Sequence, residues 1–85
     1  MKRNLRKSVR LNVPPDPEHM NDLRAVWAWR ALAAFIDATG VDLEDSVGDL
    51  LADLMHWCDR HNFDFEIALD RARCHYEAET SEEVL

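Results

Sequence analysis

What this 85-residue chain lacks sets its first limits. No hydrophobic run is long enough for a bilayer. The longest, Ala25 to Ile36, covers twelve residues and contains Arg30, whereas a spanning helix needs about twenty. No hydrophobic segment follows the basic start, Met1 to Arg10, so that start does not read as a secretory signal. Two cysteines are too few for a disulfide framework, which fits a reduced, cytoplasmic setting. Internal repeats and low-complexity tracts are absent, and the length allows a single core, so a two-domain enzyme is excluded. Aromatics make up only 8% of the chain, but apolar residues reach 47%, which suits a globular fold better than disorder.

Acid is missing from the first ten positions. Lys2, Arg3, Arg6, Lys7 and Arg10 place five of the ten basic residues there. The other 75 residues hold five arginines and all 17 acids, a net of −12 inside an overall −7. The chain therefore divides into a basic N-terminal arm (1–15), a helical domain (16–80) and a frayed end (81–85). Within the arm, Val9, Leu11 and Val13 alternate with Arg10 and Asn12, the period of a short strand. Pro14, Pro15 and Pro17 would end any ladder.

The body predicts an all-α fold of three helices: a long first helix, then a helical hairpin, pairing into a dimeric bundle. Helix 1 is expected from about Pro17 to Ala38, with Asp16 as N-cap and Gly40 as the left-handed C-cap. At 100° per residue, Met20, Leu23, Trp27, Ala31, Ala34 and Phe35 fall on one side and Ala25, Trp29, Leu32 and Ile36 on the other. A helix apolar nearly all round must be covered on more than one side. Helix 2 is expected from about Leu43 to His61, with Asp42 and Asp45 as a weak capping box and Asn62 closing it. Val47, Leu50, Leu51, Leu54, Trp57 and Cys58 form its apolar stripe. Helix 3 is expected from about Phe65 to Glu79. Asp64 caps it, with Phe63 and Ala68 at staple positions. Its core face is Phe65, Leu69, Ala72 and Tyr76, with Ile67 and Cys74 on the back.

Several constellations bear on chemistry. Asp45, Asp49 and Asp53 recur every fourth residue on helix 2 and share a face of roughly 80° with His56 and Arg60. The row reads either as a solvated face or as carboxylates for a hard cation such as Mg²⁺. Asp53 and His56 have the i, i+3 spacing of carboxylate-bridged metal bundles, but helix 1 offers no inward glutamate to complete one. Cys58-x-x-His61 and Cys74-His75 have zinc-binding residue types without zinc-binding spacing, because adjacent helical residues diverge by about 100°. Trp27 and Trp29 point about 160° apart, so they cannot fill one core, and tryptophan is enriched at interface hot spots. An interface of Trp27, Trp29, Leu32, Ile36 and Ile67 is thus expected, together with an acidic surface of Asp45, Asp49, Asp53 and Asp59.

The stretch from Asp45 to Leu69, DSVGDLLADLMHWCDRHNFDFEIAL, continuing to Tyr76, resembles the later helices of the MazG-like all-α nucleoside triphosphate pyrophosphohydrolases. In that family an acidic pair opens a helix of the type EExxDxLxxLxxLA, a turn ending in Gly or Asn follows, and then a basic helix. The resemblance covers about 35 of the 85 residues. It implies a helical hairpin, dimeric assembly, and Mg²⁺ held by acids for cleavage between the α- and β-phosphates. Asp49 matches the second Asp position. Ser46 stands where an acid is expected, with Asp45 beside it, and Asp53 would complete a Mg²⁺ set. Helix 1 carries tryptophans and alanines in place of the family's first acidic pair. Arg71, Arg73 and His75 are loose stand-ins for the distal ligands. The segments Asp53 to Arg60 and His75 to Thr80 also resemble small acidic helical proteins of bacteria, phages and mobile elements, a likeness that implies no particular activity.

Three functions follow as expectations. The first is a non-enzymatic interaction protein without catalytic residues or cofactor, an inhibitor or adaptor presenting carboxylates to a nucleic-acid-handling protein complex. Its partner is a protein, a second copy of itself, or both, and not a membrane. The alternative is a reduced MazG-like Mg²⁺-dependent pyrophosphohydrolase. The second alternative is a DNA-binding regulator acting through the basic arm, although helix 1 is too long and too apolar for a ribbon-helix-helix protein.

Overall fold

In a computed structural model that describes residues 13–82, the chain forms three α-helices and no strand among those residues. The basic residues at 2, 3, 6, 7 and 10, and most of the alternating Val9–Val13 segment, lie outside the described residues. No helix among them is long and apolar enough to cross a membrane.

Helix α1 spans Asn21–Thr39, four residues later than the sequence predicts. Pro17 presets the second position of a turn in which the His19 N–H donates to the Asp16 carbonyl at 3.1 Å. His19 then takes a left-handed φ of 59°, which no α-helix accommodates. The Asp16 carboxylate still serves the helix start, but from across this turn. It accepts the N–H groups of Met20 at 3.1 Å and Asn21 at 3.3 Å. At the other end Gly40 adopts φ 74° and donates to the Ile36 carbonyl at 2.7 Å. Thr39 reinforces the stop: its hydroxyl donates to Phe35 and accepts from Val41.

Helix α2 spans Leu43–His61 and α3 spans Phe65–Thr80. Asp42 has the extended backbone of an N-cap, yet its side chain accepts no helix N–H, so the Asp42–Asp45 capping box does not form. The first turn is held instead by the Asp42 carbonyl, which accepts from Asp45, and by the Ser46 hydroxyl, which donates to Leu43 at 2.8 Å. Glu44 and Asp45 sit at the positive end of α2, and Arg60 and His61 at its negative end. Asn62 turns left-handed at φ 63°, and Phe63 donates to the Cys58 carbonyl at 3.0 Å. Asp64 caps α3 by accepting from Ile67 at 3.1 Å.

The helices make an open frame. Helix α1 meets α2 beside the Gly40 turn, and α2 meets α3 more sparsely. The frame closes where α1 begins and α3 ends. The Asn21 side-chain amide donates to the Glu79 carbonyl at 2.9 Å, and Arg24 Nε lies 3.4 Å from Glu79 Oε2. The Cα radius of gyration is 15.2 Å, against about 12 Å for a compact chain of this length. The molecule measures 42 × 39 × 19 Å.

An inner edge of Leu32, Phe35, Ile36, Val41, Leu50, Phe65 and Leu69 is half-buried. Among the described residues only Ser46 and Cys58 are buried.

The two glycines should respond to alanine in opposite directions. Gly40→Ala forces a Cβ into the left-handed region and should cost about 1 kcal/mol. Gly48 lies inside α2 with nothing within 4 Å of an added Cβ. Gly48→Ala should therefore gain about 0.5–1 kcal/mol of helix propensity. Urea melts followed by far-UV circular dichroism measure both.

Candidate interaction surface

Helical periodicity gives α2 two opposed faces. Along one run Leu43, Val47, Leu51, Leu54 and Trp57, all partly exposed. Among its neighbours on this side Leu50 is half-buried and Ser46 and Cys58 are buried. Asp45, Asp49 and Asp53 are exposed along a line that starts on the opposite side of the helix and reaches the stripe's edge at Asp53, one turn before Trp57.

Helix α1 is likewise divided. Leu32 and Ile36, with Phe35, are half-buried on the stretch beside the Gly40 turn. Trp27 and Trp29 stay 51% and 49% exposed, and Leu23 and Val26 are open as well. The five side chains expected to form one interface therefore separate. Leu32 and Ile36 line the inner edge of the frame, while Trp27, Trp29 and Ile67 project into solvent.

An aromatic group closes the far end of α2. The His61 ring stacks on Trp57 with centroids 4.3 Å apart and planes 13° apart. Phe63 tilts against the same indole at 5.0 Å and remains 62% exposed. His61 Nδ1 also lies 3.0 Å from the Trp57 carbonyl, which ties the ring to the last turn. The cluster borders a shallow hollow of about 460 Å³ ringed by Asp59, Asp64 and Glu66. A second hollow, of about 510 Å³, lies where α1 and α3 meet, between Val13, Pro14, Ala25, Ala28 and Tyr76. This aromatic cluster was not anticipated from the sequence. Its one signal was Trp57 and His61 at i, i+4; Phe63 joins them only because Asn62 reverses the chain.

The uncovered apolar area is large. A buried aromatic side chain covers roughly 150–250 Å². At about half exposure, the open residues of the three helices leave on the order of 1,000 Å² per chain. These side chains lie on several faces, Trp27 and Trp29 about 160° apart, so the area is divided among patches, of which the α2 stripe is one.

The acidic row does not converge on an ion. Among the described residues no group of three His, Cys, Asp or Glu side chains is placed to hold a metal. Asp45, Asp49 and Asp53, the Mg²⁺ set implied by the MazG-like resemblance, lie one turn apart along exposed α2. Cys58 is buried and Cys74 exposed, both as free thiols. Arg60 does not neutralise the row but donates to the His56 carbonyl at 3.2 Å. The two ion pairs among the described residues both belong to Arg24, with Glu18 and Glu79.

Compared with known proteins, the chain matches no family model, no curated protein and no solved structure.

Asp49 has a like charge one turn away on each side. Asp49→Asn should stabilise α2 by about 0.4–1 kcal/mol, the sum of two i, i+4 repulsions. The gain should shrink as salt is added, which thermal melts at low and high ionic strength will measure.

Proposed function

We propose that this chain is a non-enzymatic acidic interaction protein, acting as an inhibitor or adaptor on a nucleic-acid-handling protein, in the manner of small proteins of phages and mobile elements. The observation that carries this reading is the two-faced α2. An open apolar stripe backs onto an unneutralised row of carboxylates.

A second acidic group, Asp59, Asp64 and Glu66, rims the hollow beside Phe63. Such a surface is complementary to the basic grooves that proteins use to hold a phosphate backbone. At about 6 Å per carboxylate, the row is sparser than the charge along duplex DNA, one per about 1.7 Å of axis. It therefore needs apolar contacts as well, and Trp27 with Leu23 on α1, or Phe63 beside the second group, supplies exposed anchors.

The test is capture of proteins from a bacterial lysate on the immobilised chain, followed by competition. Captured proteins should be nucleic-acid binders, and duplex DNA should release them. A triple Asp45→Asn, Asp49→Asn, Asp53→Asn variant should bind them roughly 3- to 100-fold more weakly, from three solvent-screened ion pairs. Captured proteins that ignore both the DNA and the triple variant, or no capture at all, would refute the proposal.

A further inference from the structure

We propose that the apolar stripe of α2 is the seat of a second copy of this chain, and that the chain folds as an obligate two-fold dimer. The inference rests on the reading above only in taking the open faces as contact surfaces. It concerns the apolar stripe and not the acidic row, so it stands or falls separately from the identity of any basic partner.

Three observations point to a second copy. The first is architectural. Helical domains are stable when elements pack in at least two layers around a core, and here an open frame leaves Cys58 as the one buried apolar side chain among the described residues. A second frame laid on the first supplies the missing layer.

The second is timing. On the core stripe of α2 Leu50 is half-buried and Cys58 buried, yet Leu43, Val47, Leu51, Leu54 and Trp57 around them keep 39–57% of their surface open. A partner met only occasionally would leave the core uncovered between encounters. The occupant must be present whenever the chain is, and a second copy always is.

The third is area and charge. A stable interface takes about 800 Å² from each partner, somewhat over half of it apolar, and the five open side chains of the α2 stripe leave on the order of 400 Å² of that kind. Asp45 and Asp49 lie on the far side of α2 and Asp53 at the edge of the stripe, one turn before Trp57, so two stripes can meet with the carboxylates at the rim and not at the centre. A two-fold interface is self-complementary. With the two α2 helices antiparallel, Leu51 falls near the axis and Val47 of one copy faces Leu54 of the other.

The test uses the full chain in sedimentation equilibrium and in melts at several concentrations. The expected result is a mass twice the 9.9 kDa of the chain, with a melting temperature that rises with protein concentration. Leu51→Ala should raise the dimer dissociation constant roughly 100-fold, since the substitution is felt twice at the axis. Its helicity and dimer mass should return at proportionally higher concentration, which separates a weakened interface from a broken fold. Asp49→Asn should leave the mass unchanged. A helical monomer with a concentration-independent melt would overturn the proposal. So would an unfolded wild-type chain, a larger assembly, or a Leu51→Ala variant that dimerises like the wild type. A dimer that captures no nucleic-acid binder would refute the functional reading and leave this one intact; a folded monomer that captures them would do the reverse.

Discussion

Burial governs everything else in this chain. Ser46 leaves solvent wholly and Cys58 nearly so, while every large apolar side chain among the described residues keeps part of its surface in water. Hydrophobic burial is the dominant favourable term in folding, at roughly 25 cal/mol per Å². On the order of 1,000 Å² left open then corresponds to about 25 kcal/mol of unrealised transfer free energy, more than the net stability of a typical domain, about 5–15 kcal/mol. The three helices are thus well specified one by one and weakly specified as an assembly. What covers the open stripes decides whether the assembly is stable.

Polar interactions cannot make up that deficit. The tie between Asn21, Arg24 and Glu79 joins residues 58 apart and closes the frame. Arg24 and Glu79 are each about 30% exposed, so solvent screening holds their ion pair to a few tenths of a kcal/mol, up to about 1. The Asn21 bond to the Glu79 carbonyl adds a net contribution of about 1 kcal/mol. Together they can fix the angle at which α1 meets the end of α3. Ser46 has a comparable, local role: its hydroxyl donates to Leu43, so its polar atom is buried already satisfied.

How far the sequence could be read follows from the range of each signal. The bounds of α2 and α3 were legible because Asn62 and Asp64 act within four residues of their own positions, and the structure places helix ends there; Asp42 marks the start of α2 through its backbone alone. The start of α1 was not. Asp16 offers the same carboxylate whether it caps directly or across a turn, and the left-handed His19 that separates the two cases carries no residue-type signal. The acidic row was legible from spacing alone, since a helix surface repeats every three to four residues. Which side of α1 turns inward was not, because both sides are apolar and pattern cannot choose between them. In the structure the division runs along the helix instead: Leu32, Phe35 and Ile36, from both sides, are half-buried near the Gly40 turn, and Trp27 and Trp29, also from both sides, stay exposed further from it.

The separation of roles on α2 gives this small chain room for two contacts at once. Its apolar stripe and the Asp45 and Asp49 part of its acidic row point apart, so covering one leaves the other in solvent. Charge repulsion along Asp45, Asp49 and Asp53 works against the helix by roughly 0.2–0.5 kcal/mol per pair, a cost that neutral residues would avoid. Arg60, the nearest base on that face, is turned to a backbone carbonyl and leaves the row unpaired. That cost is offset where an external positive charge meets the row. The apolar face is the converse: its free energy is recovered by any covering surface of matching shape, with no demand on sign. A contact of the proposed kind on the acidic face would be selected by charge and weakened by salt. The occupant of the apolar face is selected by shape and constant presence, and its hold persists at ionic strengths that release the first.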